Sequence, residues 1–211
     1  MDPASYDAWY YTPKGRWISH REMNLMLRLL RPASNASLLD VGAGTGLFTN
    51  WFAQAGLRVW GLEPDLDMLE YARHKYSNIS FVPGDAKKLP FIEQSFDYAV
   101  AVTSLCFISE PELALEQMWR ISRRGILLGL LNRNSLLYLR KAGRGGYKGA
   151  RWDDFFRMHN WIGSLEPEPS KIRWGTAVVF PGGSAFARSF EQLMPKRFPF
   201  GSFLAFYCER T

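Results

Sequence analysis

The glycine-rich segment at residues 38–46 is the part of the sequence most able to do chemistry. A short apolar run ends in GAGTG (residues 42–46), and an amphipathic pattern follows it. Glycines at a strand-to-helix turn let a ligand approach the main chain, and the next helix offers it free N–H groups. Leu47 stands where the dinucleotide fingerprint needs glycine, and the lysine of a phosphate-binding loop is absent. The turn therefore predicts a site for a ligand without a pyrophosphate.

Two carboxylates follow the next two predicted strands. Glu63 comes directly after the second strand, where a carboxylate can accept hydrogen bonds from both hydroxyls of a ribose. Asp85 follows the third strand and can accept from an exocyclic amine, while the N–H of Ala86 can serve a ring nitrogen. The alternative for Glu63 is that it only caps the next helix. Ligands in such folds bind outside the carboxyl ends of the strands, so these groups are expected to share one site.

Strand and helix patterns alternate along the middle of the chain. The predicted strands are residues 37–41, 57–62, 79–82, 96–102 and 126–131. The helices predicted between them are residues 47–55, 64–74 with proline in the first turn, and 109–121 with a capping box at its start. This alternation predicts right-handed crossovers and a parallel sheet covered on both faces.

The two ends of the chain have less regular patterns. Residues 1–17 are rich in aromatics without a clean period, and an amphipathic helix is predicted over 20–30. Towards the C-terminus the sequence predicts helices over 134–141, 152–161 and 184–193, and strands over 171–180 and 203–208.

Composition narrows the class of protein. The 211 residues, 47% hydrophobic and 22% charged, suit one domain with its own core and exclude disordered, collagenous and coiled-coil proteins. Cys106 and Cys208 cannot form a disulfide framework or complete a four-cysteine metal site by themselves, and no metal is expected. No apolar run reaches the roughly 18–20 residues of a membrane span. The N-terminus lacks a signal-peptide pattern, so a cytoplasmic location is expected.

The net charge of +6 is distributed unevenly. Residues 35–100 hold eight acids and five bases, so the excess of positive charge lies elsewhere in the chain. No acid stands between Glu116 and Asp153, and the bases of this window are Arg120, Arg123, Arg124, Arg133, Arg140, Lys141, Arg144, Lys148 and Arg151. Two readings stay open. The window is either a solvated helix face with a flexible loop, or a surface that attracts nucleic acid, anionic lipid or an anionic substrate.

The chain resembles the class I, Rossmann-like S-adenosylmethionine-dependent methyltransferases, in the type-11 group that includes the quinone-biosynthesis methyltransferases. The matching segments are LLDVGAGTG (38–46), GLEPDLDML (61–69), FVPGDAKKLPF (81–91), SFDYAVAVTSLCFI (95–108) and RISRRGILLGLLN (120–132). The leader YDAWYYTPKGRW (6–17) also resembles that of some uncharacterised bacterial members. One departure is Arg-Arg-Gly-Ile at 123–126, where members usually have Pro-Gly-Gly.

This resemblance implies the architecture of the whole chain. The implied fold is α/β, with a doubly wound, seven-stranded, mostly parallel sheet in the order 3-2-1-4-5-7-6, strand 7 antiparallel, and helices on both faces. Residues 1–211 would form a single methyltransferase domain. Within it, residues 1–31 would be an N-terminal lid and residues 132–181 a variable segment that covers the substrate.

The resemblance also implies a cofactor and the residues that bind it. The cofactor would be S-adenosyl-L-methionine, released as S-adenosyl-L-homocysteine. Asp40 would support the glycine loop through backbone or water, and Thr103 would offer its backbone carbonyl to the methionine amine. Glu63 would hold the ribose. The residues implied at the methionine end are Gly42, Ala43 and Gly44, and those implied around the adenine are Pro64, Met68, Asp85 and Ala86.

Residues for the methyl acceptor are less defined. The resemblance implies that Tyr6, Trp9 and Tyr11 form a lid, and the alternative is that they pack on the sheet as core. His159 and Tyr6 are weak candidates for a catalytic role, and Cys106 is predicted to be a small buried hydrophobe. The aromatics that suit an acceptor pocket, or equally the core of the C-terminal half, are Trp152, Phe155, Phe156, Trp161, Trp174 and Phe180.

Three functions remain open at the level of sequence. The first is methyl transfer, by in-line displacement, to a small apolar or aromatic molecule. The second is an RNA- or protein-directed methyltransferase that uses the basic window at 120–151, which predicts salt-sensitive nucleic-acid affinity. The third is a protein that binds the cofactor or its demethylated product without catalysis. The missing Asp/Asn-Pro-Pro-Tyr after the fourth strand argues against methylation of exocyclic base amines.

Overall fold

Seven strands form one sheet in the computed structural model, which describes residues 2–182, 191 and 198–210. The strands are β1 (Ser37–Val41), β2 (Arg58–Glu63), β3 (Ser80–Pro83), β4 (Phe96–Val102), β5 (Ser122–Leu131), β6 (Lys171–Ala177) and β7 (Phe203–Glu209). Their order is β3-β2-β1-β4-β5-β7-β6. The first five run parallel, and β7 lies antiparallel between β5 and β6. This confirms the predicted fold and strand order.

Helices cover both faces of the sheet. They are α1 (Pro3–Tyr11), α2 (Pro13–Leu30), α3 (Leu47–Gln54), α4 (Leu66–Lys75), α5 (Pro111–Ile121), α6 (Leu136–Lys141) and α7 (Phe155–Gly163). Alternate residues of a strand point to opposite faces. In β4, Val100 therefore packs with α2 and α3 residues, whereas Ala99 and Ala101 pack with α5 and α7 residues. The buried, nearly continuous apolar strands follow from this double coverage.

The N-terminal segment is more regular than the sequence analysis predicted. Asp2 caps α1 by accepting a hydrogen bond from the Ser5 N–H at 2.8 Å. Thr12 caps α2 by accepting from the Gly15 N–H at 3.0 Å, so the helix predicted over 20–30 begins at Pro13. A capping residue followed by proline is a helix-start signal, and it occurs twice here. The aromatic leader is therefore helical.

Other predicted boundaries were wrong for local reasons. Asp65 caps α4, so Pro64 lies before the helix rather than in its first turn. Glu110 precedes α5 without a side-chain cap, so the predicted capping box does not form. The strand predicted over 171–180 ends at Ala177, and Val178 turns with φ of 63°. The helix predicted over 184–193 lies outside the described residues except for position 191. Among the described helices, none is long and apolar enough to cross a membrane.

Candidate active site

A cavity of about 570 Å³ opens at the carboxyl ends of β1, β2, β3 and β4. Its size falls within the roughly 300–1,000 Å³ typical of small-molecule sites. Most of the residues that the resemblance implied line it, namely Gly42, Ala43, Gly44, Glu63, Pro64, Met68, Asp85, Ala86, Thr103 and Tyr6. The carboxyl ends of parallel strands meet at one edge, which is why loops distant in sequence converge here.

The glycine turn after β1 forms one wall of this cavity. Gly42 and Gly44 have φ of 77° and 54°, in the left-handed region that glycine favours. A Cβ at Gly42 would lie 2.4 Å from the Cβ of Ser104, so this glycine permits close packing against the loop after β4. A Cβ at Gly44 would meet no heavy atom within 4 Å. Gly44 therefore presents bare backbone to open space, as a main-chain ligand site requires.

Glu63 links the ends of β1 and β2. Its side chain is buried, and Oε2 accepts a hydrogen bond from the Gly44 N–H at 2.7 Å while Oε1 accepts from the Asp65 N–H at 3.1 Å. Burial raises the pKa of this carboxyl, and the two backbone N–H groups oppose the rise. Because Asp65 caps α4, the capping role considered for Glu63 is wrong. Glu63 instead holds the glycine turn against the second strand.

Asp40 lies behind the turn and does not line the cavity. Its buried Oδ2 accepts from the Thr49 hydroxyl at 2.7 Å, which ties β1 to α3, and its Oδ1 has no hydrogen-bond partner. Burial raises the pKa of Asp40 to about 7, with Thr49 lowering it and the charge of Glu63 raising it further. The sequence analysis did not single out Thr49, and the support of the loop by Asp40 through backbone or water stays a prediction.

Thr103, at the end of β4, has a strained backbone. Its φ is 50°, which is rare for a β-branched residue and costs on the order of 1–3 kcal/mol. The Thr103 N–H donates to the Gly129 carbonyl at 2.7 Å, and its carbonyl accepts from the Cys106 thiol at 3.1 Å. Cys106 is buried, and burial raises its pKa to about 12. Cys106 is therefore a buried thiol, as predicted, and not an activated nucleophile.

Asp85 and Ala86 follow β3 and line the cavity. The Asp85 carboxylate is exposed, and its Oδ1 accepts from the Lys87 N–H at 2.9 Å. The Lys88 N–H donates to the Asp85 carbonyl at 3.0 Å, which closes a tight turn. Ala86 is buried beneath it. This turn holds the Asp85 carboxylate at the rim of the cavity.

Aromatic side chains of α1 and α3 also line the cavity. Tyr6 and Tyr10 line it, their hydroxyl oxygens are 2.9 Å apart, and the Tyr10 ring packs edge-on against Phe48. Burial raises the pKa of both tyrosines, so both hydroxyls stay protonated near neutral pH. Trp9 and Tyr11, predicted in the same lid, are 40% and 50% exposed and do not line the cavity. Tyr6 and Tyr10 are four residues apart and therefore share one face of α1. The sequence analysis missed Tyr10 because it did not predict a helix in this segment.

A buried contact ties α1 to α4. The carboxylate of Asp7 accepts from the ammonium of Lys75 and from the hydroxyl of Tyr71, the latter at 3.2 Å. Burial lowers the pKa of Lys75, but the hydrogen bonds with Asp7 and Tyr11 and the charges of Tyr76 and Asp7 together outweigh it and raise the pKa above the usual range. This contact, which the sequence analysis missed, holds α1, the helix that carries Tyr6 and Tyr10, against α4.

Glu22 on α2 is a further group near this wall that the sequence analysis missed. It shares the inward helix face with Ile18, Ser19 and Met26, which are buried. Burial raises the pKa of Glu22 to about 8. Its charge in turn raises the pKa of Tyr6, Tyr10 and Tyr147.

The segment at 132–181 contributes less to the cavity than the sequence predicted. Gly145, Gly146 and Lys148 line it, next to Phe107 and Ile108 of the loop after β4. The guanidinium of Arg151 donates to the carbonyls of Leu105 and Ile108, both at 3.0 Å, and so fastens the segment to that loop.

The predicted aromatic wall of this segment lies elsewhere. Phe155, Trp161 and Trp174 pack against the main core, and Trp152 packs with Cys106. Phe156 is 78% exposed. The four packed rings therefore belong to the core, which is the alternative that the sequence left open. An apolar pattern in the sequence does not distinguish a pocket wall from an interior. His159 is exposed on α7 and does not line the cavity, so the structure does not bring it to the site.

Comparison with known proteins agrees with this geometry. Residues 39–128 match the family model of the methyltransferase domain, Methyltransf_11. An uncharacterized protein of Mycobacterium tuberculosis is 32% identical over 158 residues, which are 72% of this chain and 53% of that protein. The demethylmenaquinone methyltransferase of Renibacterium salmoninarum is 40% identical over 88 residues, 42% of this chain and 37% of the enzyme. The chain thus spans about half, or less, of the length of these relatives.

A solved structure is similar over nearly the whole chain. A Thermotoga maritima S-adenosylmethionine-dependent methyltransferase, described as a possible histamine N-methyltransferase, superposes with a TM-score of 0.78. The match covers 99% of this chain and 96% of that one at 22% identity, so it shows the fold. The matched domain, the strand order and the glycine turn lead to one conclusion. Residues 39–128 match the methyltransferase domain family, and the chain has the class I, Rossmann-like fold of S-adenosylmethionine-dependent methyltransferases.

Proposed function

We propose that this chain transfers a methyl group from S-adenosylmethionine to a small, apolar or aromatic acceptor. The observation that carries the proposal is the composition of the cavity at the carboxyl edge. Its lining combines the glycine turn and the carboxylates of Glu63 and Asp85 with the aromatic rings of Tyr6, Tyr10 and Phe48. Polar groups and aromatic rings in one cavity suit a polar cofactor together with an apolar acceptor.

The polar groups of the cavity, which are the glycine turn, Glu63 and Asp85, fit a nucleoside that carries an amino acid. A carboxylate has about four lone-pair sites, so Glu63 can accept from ribose hydroxyls while it keeps the Gly44 and Asp65 N–H groups. In this proposal Asp85 accepts from the adenine amine and the Ala86 N–H donates to a ring nitrogen. Pro64 and Met68 flank the base.

The methionine end would lie against the glycine turn. No heavy atom lies within 4 Å of the position that a Cβ at Gly44 would occupy. In this proposal the cofactor approaches the backbone of residues 42–44 through that open space. The strained Thr103 carries the carbonyl proposed to accept from the methionine amine. Asp40 keeps one unpaired oxygen behind the turn, where a water molecule could join it to the loop.

Bound S-adenosylmethionine supplies a methyl group that is already activated, so the chain's own task is positioning. Positioning contributes up to roughly 7–11 kcal/mol in well-oriented systems. Tyr6 and Tyr10 are protonated, so they can donate hydrogen bonds but are poor general bases. We propose that α1 and α2, within residues 1–31, form the lid that excludes water. Of residues 132–181, only the part around 145–148 is proposed to cover the acceptor.

The test incubates the purified chain with methyl-labelled S-adenosylmethionine and an extract of its own host. Label is then counted in organic-soluble, small water-soluble, RNA and protein fractions. We expect label in a small-molecule fraction, and none with Glu63→Ala, which removes the proposed ribose contact. Label in RNA or protein would overturn the proposed acceptor class. Tight cofactor binding without label in any fraction would instead support the non-catalytic alternative.

A further inference from the structure

The basic window at 120–151 is divided between the two edges of the sheet. Arg123 and Arg124 begin β5 at the amino edge, where both pair with Asp97. Arg120 donates to the carbonyls of Leu89 and Phe91, so it is also held by the protein. Residues 133–148 follow the carboxyl end of β5, roughly 20–25 Å away at strand spacing. The window is therefore not one continuous basic surface.

The cations beside the cavity mouth have no such partners. We call Arg133, Arg140, Lys141, Arg144 and Lys148 the basic rim. All five are exposed, and none forms an ion pair or a side-chain hydrogen bond in the described part of the chain. The nearest acid in sequence, Asp153, is buried and paired with Arg151 and Arg157. The rim thus keeps its full positive charge at the surface, and Lys148 itself lines the cavity.

Apolar side chains are exposed next to these cations. The inward face of α6 packs Leu137 and Tyr138 against Cys106, Leu131 and Trp152. Leu136 and Leu139 point outward, and Leu139 is 78% exposed. Because residues three and four apart share a helix face, Leu136, Leu139 and Arg140 form one outward patch. Phe107, which lines the cavity, is also 59% exposed.

We propose that this outward face of residues 133–148 binds the surface of an anionic lipid bilayer, with the cavity mouth turned toward the lipid. Unpaired Arg and Lys side chains attract anionic headgroups, and exposed leucines beside them can enter the interfacial region. An RNA would be attracted by the same charge, but exposed leucines contribute little to base recognition, which relies on aromatic stacking. The combination favours lipid. The proposal does not depend on methyl transfer, since vesicle binding can be measured without cofactor.

The test is co-sedimentation of the full chain with vesicles of phosphatidylcholine and phosphatidylglycerol in equal amounts, and of phosphatidylcholine alone. We expect binding to the anionic vesicles only, decreasing as salt is raised. Arg140→Glu/Arg144→Glu should lower the partition coefficient about tenfold or more. The matched control is Arg28→Glu/Lys171→Glu, which makes the same change in net charge at two exposed positions near the amino edge. The control should bind as the unmodified chain does.

A third variant separates lipid from other polyanions. Leu139→Ser keeps every charge, and we expect it to weaken vesicle binding several-fold because an interfacial apolar side chain is lost. Circular dichroism and thermal melts check that each variant is folded. The proposal is overturned if the unmodified chain ignores anionic vesicles, if the control pair loses as much binding as the rim pair, or if Leu139→Ser has no effect. Binding of mixed-sequence RNA without vesicle binding would assign the rim to nucleic acid instead.

Discussion

Two parts of the cavity lining are held in different ways. The loop after β1, proposed to bind the cofactor, is held by local backbone groups and a buried carboxylate, as in the 2.7 Å bond from the Gly44 N–H to Glu63. The other part, α1 and residues 145–148, is proposed to face the acceptor and is held by side chains from distant parts of the chain. Asp7 meets Lys75, and Arg151 meets the carbonyls of Leu105 and Ile108.

A site held by backbone groups and a site held by distant side chains tolerate changes of sequence differently. A backbone-made site constrains which residues can occupy a few positions. A site made by side-chain contacts between remote segments can be rebuilt with other residues. We therefore propose that α1 and residues 145–148 carry the choice of substrate.

Removing the Glu63 carboxylate should have the largest effect on the cofactor side. Glu63→Ala loses charge-assisted hydrogen bonds of roughly 1.5–3 kcal/mol, so cofactor affinity should fall about 10- to 100-fold. Isothermal titration calorimetry with S-adenosylhomocysteine measures this. Glu70→Gln on the exposed surface of α4 is the control. Unchanged affinity of Glu63→Ala would mean that Glu63 does not contact the ligand.

Cutting the contact between α1 and α4 probes the acceptor side. Asp7→Ala leaves the Lys75 ammonium without its buried partner, and we expect the free energy of unfolding in urea to fall by about 1–3 kcal/mol. Amides of α1 should also exchange faster, while those of β1 keep their protection. In a double-mutant cycle with Lys75→Met, additive effects would show that the pair does not couple these helices.

The pH dependence of stability tests the buried Glu22. Its pKa is about 8 in the folded protein, above the ordinary 4.5, so the folded state binds the extra proton between these values. Stability contributed by the neutral carboxyl is present at low pH and is lost as pH rises toward 8. Glu22→Gln should therefore differ least from the unmodified chain at pH ~4 and be more stable by about 1–3 kcal/mol at pH ~9.

Thermal melts across this range measure the Glu22 difference. Asp40, whose pKa is also raised, titrates in both proteins and cancels from the comparison. Glu70→Gln again serves as the exposed control. Parallel stability curves for Glu22→Gln and the unmodified chain would contradict a buried, neutral carboxyl at position 22.

The smallest expected effect comes from alanine substitutions at two glycines, of which only one lines the cavity. Gly44 and Gly56 both have positive φ, and a Cβ at either would meet no heavy atom within 4 Å. Gly44→Ala and Gly56→Ala should each cost about 1 kcal/mol of stability through backbone strain. Only Gly44→Ala should also weaken S-adenosylhomocysteine binding, because only Gly44 lines the cavity. Equal binding by both variants would remove Gly44 from the ligand site.

Elements with strong local signals were predicted well from the sequence. The apolar runs of β1, β4 and β5 and the glycine turn are set by neighbouring residues, and the resemblance supplied the order of the sheet. Helix starts were predicted less well. The Asp2-Pro3 and Thr12-Pro13 signals were present but were outweighed by the irregular aromatics, and Pro64 was placed inside a helix that Asp65 begins.

The sequence by itself determined the strand pattern, the glycine turn and the positions of Glu63 and Asp85, because each depends on a few adjacent residues. Only the tertiary structure decided that Tyr10 rather than Trp9 faces the cavity and that the basic window is split. These outcomes depend on which helix face packs inward and on pairs of residues far apart in the chain. Neither the inward helix face nor such a pair can be predicted from the spacing of residues in one segment.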